Sequence, residues 1–166
     1  MKENLRRLLA MLIVTLFLLL SSLSLASAEE YDAMKGVNSV KAIFDMRDGN
    51  LQTAGIHLNL IHNTYKELAA MKKNPVFVVV FIGSAVRLIS SDHSGFNAEE
   101  QKSIKEIAGI ISRMSKAGIR VEVCLFAVKL FGIDPASILP QIERVGNGWI
   151  SEIGYQARGY SLVPVY

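Results

Sequence analysis

Cysteine is nearly absent from this chain: Cys124 is the only one among 166 residues. A single thiol cannot close an internal disulfide, so it is a buried packing group, a link between chains, or a sulfur put to chemical use. The glycine patterns that cradle phosphates or present a nucleophile are also missing. No G-x-x-x-x-G-K-S/T, G-x-G-x-x-G or G-x-S-x-G occurs, which argues against nucleotide binding by the usual loops and against a serine hydrolase. Histidine is scarce and badly spaced for metal. His57 and His62 lie five residues apart, a turn of roughly 140° on a helix, whereas a chelating pair needs a spacing of four. With His93 in a distant loop, neither a metal site nor a cofactor is expected.

Charge of one sign is lacking where the chemistry would sit. The first 28 residues hold three of the 18 basic and one of the 15 acidic residues, leaving fifteen against fourteen in the remainder. No basic face follows, so a nucleic-acid partner is not expected. Those 28 residues carry Lys2, Arg6 and Arg7, the apolar run Leu8 to Leu20, and a small-residue end, Ala26-Ser27-Ala28. This is the pattern of a secretory signal peptide cleaved after Ala28, and the apolar run is short for a membrane span of about 20 residues. The expectation is an exported protein, periplasmic or secreted, with no stable membrane span after cleavage. The alternative is an uncleaved N-terminal anchor holding an accessory subunit at the membrane.

What remains is 138 residues, enough for one core. Residues 29–38 read as a loose leader and 39–166 as one domain. The first strand is Val40 to Asp45, followed by Asp45, Arg47 and Asp48 crowding a turn. A helix from about Leu51 to Met71 repeats Ala54, Leu58, Ile61, Tyr65 and Leu68 on one face. Val76 to Ile82 is continuously apolar and β-branched, the mark of a strand buried on both faces. A second helix covers about Ala98 to Ala117. Strand three runs Ile119 to Cys124, a short helical piece lies near Ala127 to Phe131, and strand four near Glu143 to Val145. A last helix, about Gly148 to Ala157, offers Trp149, Ile150, Ile153 and Ala157 as its apolar residues, and Tyr160 to Val165 closes as strand five. Alternating strands and helices predict a three-layer α/β/α domain with a mostly parallel sheet of about five strands.

Ligands of open α/β sheets bind beyond the carboxyl ends of the strands. Cys124 sits at such an end, before a helical piece whose N-terminus favours a thiolate. The competing role is a small buried hydrophobe. Arg87, in Gly83-Ser84-Ala85-Val86-Arg87, lies past another strand end and could hold an anion or stabilise a thiolate, or serve in a salt bridge. Asn59 and Asn63 share a helix face suited to polar contact. Ile56 and Leu60 give the first helix a second apolar set, which predicts a homo-oligomer.

These residues form a pattern. Asp45, Leu58-Asn59 and Asn63, Gly83-Ser84-Ala85-Val86-Arg87-Leu88, Lys116-Ala117-Gly118-Ile119 leading into Cys124, Gly132-Ile133, Leu139-Pro140, and Val145-Gly146-Asn147-Gly148 with Gln156-Ala157-Arg158-Gly159-Tyr160 occur in order. In order and spacing the chain resembles the DsrE/DsrF-like family of sulfur-relay proteins over about Val40 to Val165. The resemblance implies an oligomeric α/β/α domain in which the cysteine matching Cys124 carries sulfur as a persulfide and passes it to a thiol partner, without metal or organic cofactor. A non-enzymatic ligand-binding or assembly domain with a structural Cys124 is the other reading.

Overall fold

The computed structural model describes residues 31–166. The expected signal peptide, residues 1–28, and with it the cleavage site lie outside the described residues. Within the expected leader, Asp32–Met34 forms a 3-10 turn, with Asp32 paired to Lys35 at 2.7 Å. Val37 to Tyr166 forms a single compact unit.

Five strands make up that unit's sheet: β1 (Val40–Met46), β2 (Pro75–Phe81), β3 (Arg120–Cys124), β4 (Glu143–Val145) and β5 (Ser161–Val165). Four α-helices accompany them: α1 (Leu51–Ala70), α2 (Ala98–Lys116), α3 (Leu125–Leu130) and α4 (Gly148–Ala157). The segment Gly83–Ile89, expected as an apolar turn or short helix, is a 3-10 helix.

The helices start where side chains can take the orphan backbone N–H groups. Asn50 accepts from the N–H groups of Gln52 and Thr53 ahead of α1. Asn97 and Glu100 form a reciprocal capping box ahead of α2. Asn147 accepts from the Trp149 N–H at 3.0 Å to start α4. In α1 the residues Ala54, Leu58, Ile61 and Leu68 are buried, and in α2 Ile104, Ile107, Ile110, Ile111 and Met114 are. Tyr65 of the expected α1 face is half-buried and stands edge-on to Phe77, ring centroids 5.5 Å apart.

All strand pairs are parallel, in the order β4-β3-β2-β1-β5. The chain steps from β1 to β2 to β3 in one direction and then returns past β1 to add β5. Right-handed crossovers therefore put α1 and α2 on one face and α4 on the other, and α4 packs across β1, β2, β3 and β5. This is the expected three-layer arrangement. At the sheet's edges lie the three-residue β4 and a β5 that contains Pro164. Among the described residues no helix is long and apolar enough to cross a membrane.

Candidate functional site

Register decides which residues meet. Asp45 lies opposite Val80 and Val80 opposite Glu122, so these three project to one face of the sheet. Side chains alternate along a strand, so the positions two further on, Arg47, Ile82 and Cys124, lie on that same face at the carboxyl ends. It is the α4 face: Glu122 accepts from the Tyr155 hydroxyl at 2.6 Å and from the Ser151 hydroxyl, both on α4. Arg120 donates in turn to the Tyr155 oxygen at 3.0 Å, and burial together with the Glu122 contact raises the Tyr155 phenol above its ordinary value.

A cavity of about 360 Å³ opens there, lined by Ile82, Cys124, Ala127, Leu130, Trp149 and Arg47, with Gly83, Phe126 and Asn147 at its margins. Its walls are mostly apolar, and the volume suits a small organic ligand. Cys124 is a free, buried thiol, 4% exposed. It is the N-cap of α3, and the first residue of α4 touches it. A Cβ on Gly148 would stand 3.1 Å from the Cys124 Cβ and 2.7 Å from the Ile82 Cδ1. Only glycine allows this approach, which brings the positive end of a ten-residue helix beside the sulfur. Helix-end charge favours an anionic sulfur, and the apolar surroundings oppose it.

The cavity's cation is Arg47. Its Nε donates to Asp45 Oδ2 at 2.6 Å and one Nη lies 4.0 Å from Glu152 Oε2. Asp45 and Glu152 are both more than nine-tenths buried, and Asp45 Oδ1 and Glu152 Oε1 have no hydrogen-bond partner. Burial first, and then the charge and proximity of Asp45, raise Glu152 to about 7, against a lowering pull from Arg47. The hydrogen bond from Asp45 chiefly raises the Arg47 guanidinium. Asp45 is therefore not a turn former as expected: it is a buried anchor for Arg47. Asp48 does form the turn, its Oδ1 accepting from the Asn50 N–H at 2.9 Å.

Of the expected site residues, Cys124 and Gly83 line this cavity. Gly83 adopts a positive φ of 62° as the chain leaves β2. Ser84 supports the rim from behind, donating to the Arg47 carbonyl at 3.2 Å and packing against Gly49. Arg87 does not join Cys124. It stacks on the Phe131 ring, 5.1 Å from its centroid, in a separate cleft with Ser90, Asp92 and Asp134. The turn of the 3-10 helix carries it there, and Arg47 stands in the expected place. Asn59 donates to the Gly55 carbonyl at 3.1 Å and lines a third, polar cleft between α1 and α2. The histidines stay apart: His57 Nδ1 lies 3.3 Å from Asp48 Oδ2, His93 contacts the Ser90 carbonyl, and burial holds His62 below its ordinary value. Among the described residues no group of three metal-ligating side chains forms.

Sequence reasoning missed Arg47 and Glu152 as partners. The available signal was a glutamate flanked at helical spacing by Gly148 and Tyr155, the three forming a face of their own opposite the apolar stripe of α4.

Residues 41–165 match the family model described as the DsrE/DsrF-like family. An uncharacterized protein of Aquifex aeolicus (strain VF5) is 27% identical over 126 residues, 75% of this chain. The chain spans 56% of that relative's length. Among solved structures, the protein of unknown function MTH1491 from Methanobacterium thermoautotrophicum has a TM-score of 0.62 at 16% identity, covering 76% of this chain and all of that one. The ychN protein from E. coli has a TM-score of 0.51 at 10% identity, covering 76% and 99%. At these identities the two structures show a shared fold.

Proposed function

The chain belongs to the DsrE/DsrF-like family, and from that premise we propose that it is an exported sulfur carrier which holds sulfane sulfur as a persulfide on Cys124. The observation that carries this reading is the setting of Cys124: a free thiol in the wall of an apolar cavity, at a strand end where two helices begin. In the loading step the Cys124 thiolate attacks a sulfane sulfur. A Cys124 S–S bond forms, the donor's bond to that sulfur breaks, and the donor leaves with the electron pair as a thiolate or comparable anion. In the unloading step a partner thiolate attacks the outer sulfur and Cys124 leaves as thiolate, so each step is a thiol–disulfide-type exchange with no net oxidant. The partner is a protein or small-molecule thiol.

Intact mass before and after a sulfane-sulfur donor tests this. The full-length or mature protein should gain about 32 Da that a reductant removes, and Cys124→Ser should gain nothing. A thiol that reacts only after unfolding would overturn the carrier reading. The export component has its own test, since N-terminal sequencing of the exported protein should begin at Glu29. Met1 retained on membrane-bound protein would favour the anchor.

A second reading, an assembly domain with a packing cysteine, is favoured by one observation. Phe126, Leu130, Trp149, Ile150 and Ile153 are all exposed large apolar side chains on α3 and α4, and Ile56 and Leu60 are exposed on α1. Surfaces of this kind mark interaction sites. Both readings include a homo-oligomer, and light scattering at tens of micromolar should give a mass above that of one chain.

A further inference from the structure

We propose that the Cys124 cavity is a binding site for a small apolar molecule bearing one anionic group, which Arg47 receives, and that the Asp45–Glu152 pair takes up a proton as the anion binds. It concerns the cavity of the sulfur-carrier reading and would define the class of donor in it, but it stands on different residues and is tested without sulfur chemistry.

The argument begins with the walls. Ile82, Ala127, Leu130 and Trp149 offer an apolar enclosure of about 360 Å³ whose formal cation is Arg47. That guanidinium is one-third exposed. It uses Nε on Asp45, and its second carboxylate contact, to Glu152, is at the 4.0 Å limit. A guanidinium carries five N–H donors in a plane, so donors remain for a ligand's oxygens. Asp45 cannot leave, since it is buried in β1 and fixes the plane of the fork. Arg47 is thus pre-oriented at the mouth of an apolar cavity, the arrangement that recognises an anionic head on an apolar body.

The acid pair sets the condition. Two buried carboxylates and one guanidinium sum to a net negative charge, which would repel an anion. Each carboxyl also has one buried oxygen without a hydrogen bond, and a proton held between the two would satisfy both. With that proton present, Arg47 is balanced by a single negative charge and is free to take a second. Glu152 sits near 7, chiefly by burial and then by the neighbouring Asp45 charge. The other charged groups facing this cluster are accounted for. Tyr166, following β5, adds a coulombic pull on Arg47, while Glu122 on β3 is held by Ser151 and Tyr155. Asp48, after β1, pairs with His57. Gly83 and Ser84 bring no charge from the segment after β2, and Cys124 is the remaining titratable group of the cavity.

The test compares two probes of one shape, phenylacetate and neutral phenylacetamide, by chemical-shift titration of the whole protein. Phenylacetate should bind about tenfold more tightly at pH 6, the value of a charge-assisted hydrogen bond. Its affinity should fall at least about threefold by pH 8 as Glu152 loses its proton, while that of phenylacetamide should not. Arg47→Met should abolish the preference. Because Arg47→Met leaves Asp45 buried and unpaired, Arg47→Lys serves as a second variant, which should keep the fold and part of the preference. Glu152→Gln should keep the preference and flatten its pH dependence. Cys124→Ser should change none of this, so a failed persulfide experiment and a failed binding experiment remain distinct. Equal affinity for the two probes, no binding of either, or a preference that survives Arg47→Met in folded protein would overturn the proposal.

Discussion

On the α1/α2 side of the sheet Phe44, Val79 and Val121 lie in register, all buried, and two helices cover that face with Leu, Ile and Met side chains. One position along each strand, the α4 side presents Asp45, Val80 and Glu122, also buried. The helix that covers these is inverted. Gly148, Glu152 and Tyr155 point inward, while Trp149, Ile150 and Ile153 are 60–69% exposed. The first side obeys the amphipathic rule and is built for stability. The second buries carboxylates, which costs free energy unless partners offset it, and its apolar residues are left for something else to cover. Violations of local rules concentrate where function is carried. The cavity with Cys124 and Arg47 lies on this second side.

Mutations should separate the two sides. The largest effect belongs to the α1/α2 side: Ile111→Ala, at a fully buried position, should cost about 2–5 kcal/mol in a denaturant titration. Next comes the junction of α4 with the sheet. Gly148→Val places carbon against Ile82 and Cys124 and should cost about 1–3 kcal/mol by overpacking. A helix start that proved tolerant of valine would break the claim that α4 is wedged against the thiol.

The third effect is one of pH. Glu152 is raised from an ordinary 4.5 to about 7 in the folded protein, so between those values the native state holds a proton that the unfolded chain does not. Its contribution to stability is present below about 4.5 and is lost as pH rises through about 7. Thermal melts should therefore show wild type losing ground to Glu152→Gln across that window, and parallel curves would refute the shared-proton picture. Smallest of all, Ile153→Ser on the exposed stripe should stay within about 0.5 kcal/mol in dilute protein. The same change should lower the assembled mass if copies meet through α4.

Much of the fold could be read from the chain because its signals were local. The apolar, β-branched β2 announced a strand buried on both faces, and the Ala54, Leu58, Ile61, Leu68 repeat announced the buried stripe of α1. Strand order was not legible, since returning past β1 to place β5 depends on the whole sheet. In α4 both possible faces have helical spacing, and hydrophobicity favoured the wrong one. Cys124 was legible from its place at a strand end. Arg47 was not, because the meeting of residues 45, 47 and 152 is made by register and by the crossing of α4. Arg87 was misplaced for a related reason: residues at the carboxyl edge share a neighbourhood in sequence logic, but a 3-10 turn is enough to aim one into a different cleft.

The sheet's two borders bear on how copies of this protein can associate. An exposed border strand is ordinarily a template on which another chain can lay its backbone and from which cross-β growth can start. Here one border is only three residues long and bears Glu143 and Arg144, the latter donating back to the Pro135 and Ile138 carbonyls. The other carries Pro164, which lacks the amide hydrogen a further ladder needs. Lamination by strand addition is blocked at both ends, so any self-association is left to side chains on helical surfaces, where it can be specific, reversible and closed.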